Sequence, residues 1–161
     1  MIRDIRRNGA QPKDTMKKAD AAMVTGMGVV IKDAATAKFP AAEEVANIYV
    51  VTKERVPSGV NAAKIDMSDY DADFVNIAKG EFVGLERYTD GEKFATDQFK
   101  ADDFQDGKLA ALKGKPLSVG TDGKWQKSTT KASKYVFEDI FMDNGHKLVL
   151  IRVESDAVAT A

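Results

Sequence analysis

The sequence predicts a mainly β protein, a small β-sandwich or barrel of short antiparallel strands with an extended N-terminal arm. Three observations lead there. Short runs rich in Val, Ile, Tyr and Thr recur along the chain, separated at close spacing by turn residues. Almost no segment sustains the 3.6-residue apolar period of an amphipathic helix. The length of 161 residues, with 43% hydrophobic and 30% charged side chains, suits one domain with one core.

Residues 1–22 contain Asn8-Gly9 and Pro12 and few large apolar side chains, so they are expected to form the arm; a short helix over Thr15 to Ala22 is the alternative. The β-domain is expected over 23–154. Strand signals start at Val24 and run to Ile31, interrupted by Gly26 and Gly28, which mark a bulge or a close backbone contact. Asp33 to Ala46 predicts a loop with at most one helical turn from Pro40. Asn47 to Glu54 is a strong strand, ended by Pro57-Ser58-Gly59.

Phe74 to Lys79 and Glu81 to Thr89 predict short strands around Gly80, and Asp90-Gly91 a turn before Lys93 to Thr96. Asp97 to Gly114 fits a loop or a short helix. Pro116 to Val119 and Lys124 to Ser128 predict a hairpin through Gly120-Thr121-Asp122-Gly123. The clearest element is the last hairpin, Tyr135 to Met142 and Lys147 to Glu154, where Asn144-Gly145 supplies the positive φ angles of a type I′ turn. Residues 155–161 are small and polar and are expected to fray as a flexible tail.

Composition removes several function classes. There is no cysteine, which excludes disulfides, thiolate catalysis and sulfur-ligated zinc. No apolar run approaches the roughly 18 residues of a membrane span, and the mixed-charge start of the chain is followed by no apolar signal region, so synthesis in a cytosol and no membrane contact are expected. A net charge of −1 argues against direct nucleic-acid binding. Its distribution is uneven. Residues 1–18 are basic, 64–106 acidic and 107–134 basic, which reads either as a mixed solvated surface or as complementary patches in an oligomer or on a partner. Arg3, Arg6, Arg7, Lys13, Lys17 and Lys18 are the candidate partner-binding residues.

Catalytic constellations fail on inspection. The single histidine, His146, sits beside a turn, and any Ser-His-Asp triad would have to be built around it. Asp69, Asp71 and Asp73 imitate the start of a calcium loop, but its sixth and twelfth positions are Phe74 and Gly80. Gly26-Met27-Gly28 lacks the third glycine of a dinucleotide fingerprint, and Gly120 to Lys124 lacks the helix of a phosphate loop. Val56-Pro57-Ser58-Gly59-Val60 faintly resembles a dUTPase motif, without that family's uridine hairpin or glycine-rich arm. No catalytic residue, metal or cofactor is therefore expected. Trp125, Tyr135, Phe137 and Phe141 are either a ligand-stacking surface or a buried stripe, with Tyr135, Phe137 and Phe141 expected on one strand face.

The order of features from Val24 to Val153 resembles that of capsid decoration, or cement, proteins of tailed bacteriophages. The matching stretches are Met23 to Ile31, Ala46 to Glu54, Ala78 to Val83, Thr96 to Phe99, Leu117 to Trp125 and Lys147 to Glu154. The resemblance implies a non-enzymatic virion protein on the outer face of an icosahedral shell, bridging subunits of the major capsid protein. Such proteins often act as homo-oligomers, commonly trimers. Alternatives are another virion component, such as a tail tube or head-tail connector, or a carbohydrate-binding β-module using the rings around Trp125.

Overall fold

The computed structural model describes residues 1–9, 13–53 and 75–160. Its elements are β1 (Ile2–Arg6), β2 (Asp14–Ala19), β3 (Met23–Val24), β4 (Gly28–Ile31), β5 (Thr36–Lys38), β6 (Tyr49–Thr52), β7 (Asn76–Ile77), β8 (Phe82–Glu86) and β9 (Lys93–Thr96). A 3-10 turn then leads into the one-turn helix α1 (Leu109–Leu112), followed by β10 (Leu117–Val119), β11 (Trp125–Lys127), β12 (Ser133–Asp143) and β13 (His146–Val158). The fold is mainly β, with barrel and open sheet both present.

Five strands close a barrel in the order β2-β5-β4-β6-β8. Beside it lies an antiparallel sheet ordered β1-β9-β13-β12, and two short ribbons, β10-β11 and β3-β7, complete the described strands. Period-2 alternation fills the barrel. Ala19, Val29, Ala37, Val51, Val83 and Leu85 point inward and meet Met23 and Ile77. A second, larger core contains Phe94, Val149 and Ile151 of the sheet, Val50 from the barrel wall, and Trp125 and Val119 of the β10-β11 ribbon.

Barrel and ribbon meet where the sequence places Gly28. A Cβ there would lie 2.4 Å from Val119 Cγ2, so glycine is required for the close approach. Gly26 has φ +93° and abuts Thr96 and Met1, which ends β3 in a turn before β4. The loop before β6 is fastened by Glu43. Its carboxylate accepts from the Ser118 hydroxyl at 2.9 Å, the Thr129 N–H at 2.9 Å and the Thr130 hydroxyl at 3.2 Å. Burial raises the Glu43 carboxyl, but these donors outweigh it and hold the group below its ordinary value.

The last hairpin turns through Asn144 (φ 49°) and Gly145 (φ 82°), as its sequence requires. Asp97 to Gly114 resolves into turns and α1.

Several expectations are corrected. The described residues of the expected 1–22 segment do not form an arm: β1 pairs with β9 at the sheet edge, β2 pairs with β8 and β5 in the barrel, and the Met1 side chain is buried. Bonds made by the backbone and by charged groups fix these strands, so they lack the apolar pattern that would announce them. The Asp33 to Ala46 loop contains a strand, β5. Residues 155–158 of the expected tail continue β13, with Val158 opposite Ser133. Finally, Phe141 does not share a face with Tyr135 and Phe137. Phe137 pairs with Ile151 and Asp139 with Leu150, so one extra residue on β12 forms a bulge that reverses the alternation beyond it.

Candidate interaction surfaces

The six N-terminal cations are dispersed, and most are committed to internal partners. Arg7 lies with Nη1 3.6 Å from Glu86 and Nε 3.6 Å from Glu92, and its guanidinium stacks 4.2 Å from the Tyr88 ring centre. Lys13 reaches the same Glu86 at 2.6 Å. Arg3 binds Asp143 at 2.7 Å, tying β1 to the last hairpin, and Lys17 binds Asp14 at 3.0 Å. The Lys18 ammonium stands 5.3 Å from the Phe82 ring centre, and Arg6 is exposed.

Arg7 and Lys13 thus converge on two buried carboxylates. Burial raises Glu92, but N–H donors from Thr89 and Asn8, with Arg7 beside it, hold it below its ordinary value. The Tyr88 hydroxyl donates to Asp4 and is pushed up by burial and by that carboxylate. Instead of a positive field for a partner, Arg7 and Lys13 join a charge network between the N-terminal strands and β8. Nothing in the local sequence marked Glu86 or Glu92 as buried; each is a charged residue whose burial depends on an arginine some eighty positions away.

Of the four aromatic residues, Trp125, Tyr135 and Phe137 are core and Phe141 is exposed. Trp125 is fully buried, donates Nε1–H to the Gly26 carbonyl at 3.2 Å, and packs edge-on to Phe94 and tilted against Tyr135. Phe137 packs on Phe104. Rings in this arrangement present no stacking row to a sugar, which removes the observation on which a carbohydrate module around Trp125 depended. His146 is exposed at the start of β13, opposite Asp143. Gly120 to Lys124 is a tight turn, with Gly123 at φ +76°. Asp69, Asp71, Asp73 and Val56 to Val60 lie outside the described residues; among the described residues no cluster of acidic or histidine side chains has metal-binding geometry.

Large apolar side chains are exposed at two places on the fold. On the outer barrel wall, Met16 of β2 is 73% exposed and Phe82 of β8 is 57% exposed, with Lys18 directly opposite Phe82. At the end of the last hairpin, Phe141 is 38% exposed on the face to which the β12 bulge turns it, and the next residue, Met142, is 58% exposed on the opposite face. Scattered single apolar residues are ordinary on a protein surface, whereas adjacent pairs are candidates for contact.

An open groove of about 770 Å³ is lined by Val45–Asn47, Arg87–Asp90, Ala132–Tyr135, Val153 and Ala157. Its base is formed by buried Tyr88, Tyr135 and Val153, and its rim by Asn47, Arg87, Asp90 and Lys134. Lys134 pairs with Asp90 at 3.2 Å. No family model, curated protein or solved structure matches this chain.

Proposed function

We propose that this chain is a structural protein of a phage virion that binds the outer surface of the assembled capsid and stabilises it by bridging neighbouring subunits of the major capsid protein. One observation carries most of the geometric support: exposed apolar side chains sit on different β-units, Met16 and Phe82 on the barrel and Phe141 and Met142 at the end of the sheet hairpin. A bridge needs two separate contact surfaces, and a symmetric shell repeats each weak contact many times, so modest patches suffice through multivalency. The burial of Trp125, Tyr135 and Phe137 favours this reading over sugar binding.

The test is imaging of virions of the phage that encodes the chain, with and without its gene, combined with retention of purified protein on shells lacking it. Density on the outer shell that disappears with the gene is expected. Met16→Ser with Phe82→Ser, and Phe141→Ser with Met142→Ser, should each reduce retention. Density confined to the tail or connector, or no copy in the virion, overturns the proposal.

A further inference from the structure

The groove beside Arg87 contains none of the residues on which the proposed bridging rests. We infer that it takes an extended segment of a protein partner that presents a carboxylate, with Arg87 and the Tyr135 hydroxyl as the paired donors for that carboxylate and the apolar base receiving the flanking side chains.

Arg87 follows β8 directly, on the rim, with its side chain exposed. Unlike Arg3, Arg7 and Arg152, it forms no ion pair or side-chain hydrogen bond with any described residue, although a guanidinium carries five donors. Tyr135 makes the second half of the site. The residue is only 6% exposed, yet its hydroxyl has a single acceptor among the described residues, the Ile48 carbonyl at 3.4 Å, well beyond the roughly 2.8 Å of a good O–H···O bond. A buried hydroxyl so weakly bonded still seeks a partner. Burial pushes its pKa up to about 12, while the nearby Arg87 charge partly offsets the rise, so it remains a protonated donor at neutral pH.

Charge selects the occupant. The rim holds the cations Arg87 and Lys134 against the single carboxylate Asp90, and Asp90 is already engaged by Lys134. The remaining free charge is the guanidinium, whose fork fits a carboxylate in bidentate geometry. The groove is open and is built from four chain segments, which suits an extended strand of polypeptide more than an enclosed small molecule.

The experiment is an amide NMR titration of the full chain with acetyl-Leu-Glu-Leu-amide, with its Gln counterpart, and with inorganic phosphate. The Glu peptide should shift amides of residues 45–47, 87–90, 132–135 and 153–157, and the Gln peptide should bind about tenfold more weakly or worse, as expected for loss of a charge-assisted pair. Arg87→Leu should abolish the response with an unchanged melting temperature, Arg87→Lys should retain part of it, and Tyr135→Phe should weaken it about threefold. Equal binding of both peptides, no response to the Glu peptide, persistence of the response in Arg87→Leu, or a response to phosphate alone overturns the inference. The readout does not depend on the capsid, so its failure and a failure of the bridging reading are separable.

Discussion

Replacing Gly28 by alanine tests one of the closest contacts in the fold. The new methyl would sit 2.4 Å from Val119 Cγ2, 2.9 Å from Cγ1 and 3.2 Å from Cβ. Rotation of the valine cannot clear both methyls, and its χ1 is stiff in a strand. The backbone cannot retreat easily either, since the Gly28 N–H is bonded to the Gly123 carbonyl at 2.8 Å and the residue is paired with Val50. Gly28 lies outside the left-handed region, so alanine is conformationally allowed and gains about 0.4–1 kcal/mol by restricting the unfolded chain. Overpacking costs about 1–3 kcal/mol and should win. At about 2–4 °C per kcal/mol for a chain of this size, a fall in melting temperature of a few degrees is expected. Val119→Ala alone removes two methyls, about 1.6 kcal/mol before any cavity term. In the double variant the methyl added at position 28 occupies the vacated space, so the combined loss should fall short of the sum by about 1–2 kcal/mol. Urea unfolding of the four proteins measures this cycle. Additivity to within about 0.5 kcal/mol, or a stabilised Gly28→Ala, refutes the close-contact argument.

Four further outcomes are expected. Deleting residues 1–9 removes β1 and leaves the buried Glu92 without Arg7 and the Asn8 N–H, so stability should drop by at least about 3 kcal/mol; an unchanged melting temperature would restore the idea of a dispensable arm. Glu43 is held below its ordinary value of 4.5, so its contribution is present above that pH and is lost as pH falls through the lower folded value; urea midpoints at about pH 6 and about pH 3.5 should differ more for the native protein than for Glu43→Gln, and equal differences would count against the latch. Gly145→Val meets no neighbour but must adopt φ 82°, which should cost about 1–3 kcal/mol in denaturant unfolding, whereas no change would mean that the turn can relax. The only tryptophan, Trp125, should emit at short wavelength and resist iodide quenching in the folded protein; ready quenching would place the ring at the surface.

The sequence by itself determined the β class, the last two hairpins and the strand from Lys93 to Thr96. In each case the information is local: β-branched and aromatic runs prefer a pleated, half-buried surface, and Asn144-Gly145 or Asp90-Gly91 accept the φ angles that the turn demands. It also marked Gly28 as either a bulge or a point of close approach, without deciding between them or naming Val119, because the partner is ninety-one positions away. Tertiary structure alone decided the rest. Met1 to Ala19 carries too few apolar side chains to announce a strand, and becomes β1 and β2 only because β9, β8 and β5 present unpaired backbone groups to it. The cations Arg7 and Lys13 looked like a field for a partner until Glu86 and Glu92, remote in sequence, were brought beside them. A single extra residue in β12 moved Phe141 from the core face to the surface, a change invisible to period-2 reading because a bulge is set by how two strands pair. The groove at Arg87 belongs to the same category, since its four walls come from segments that meet only when the sheet and the barrel pack together.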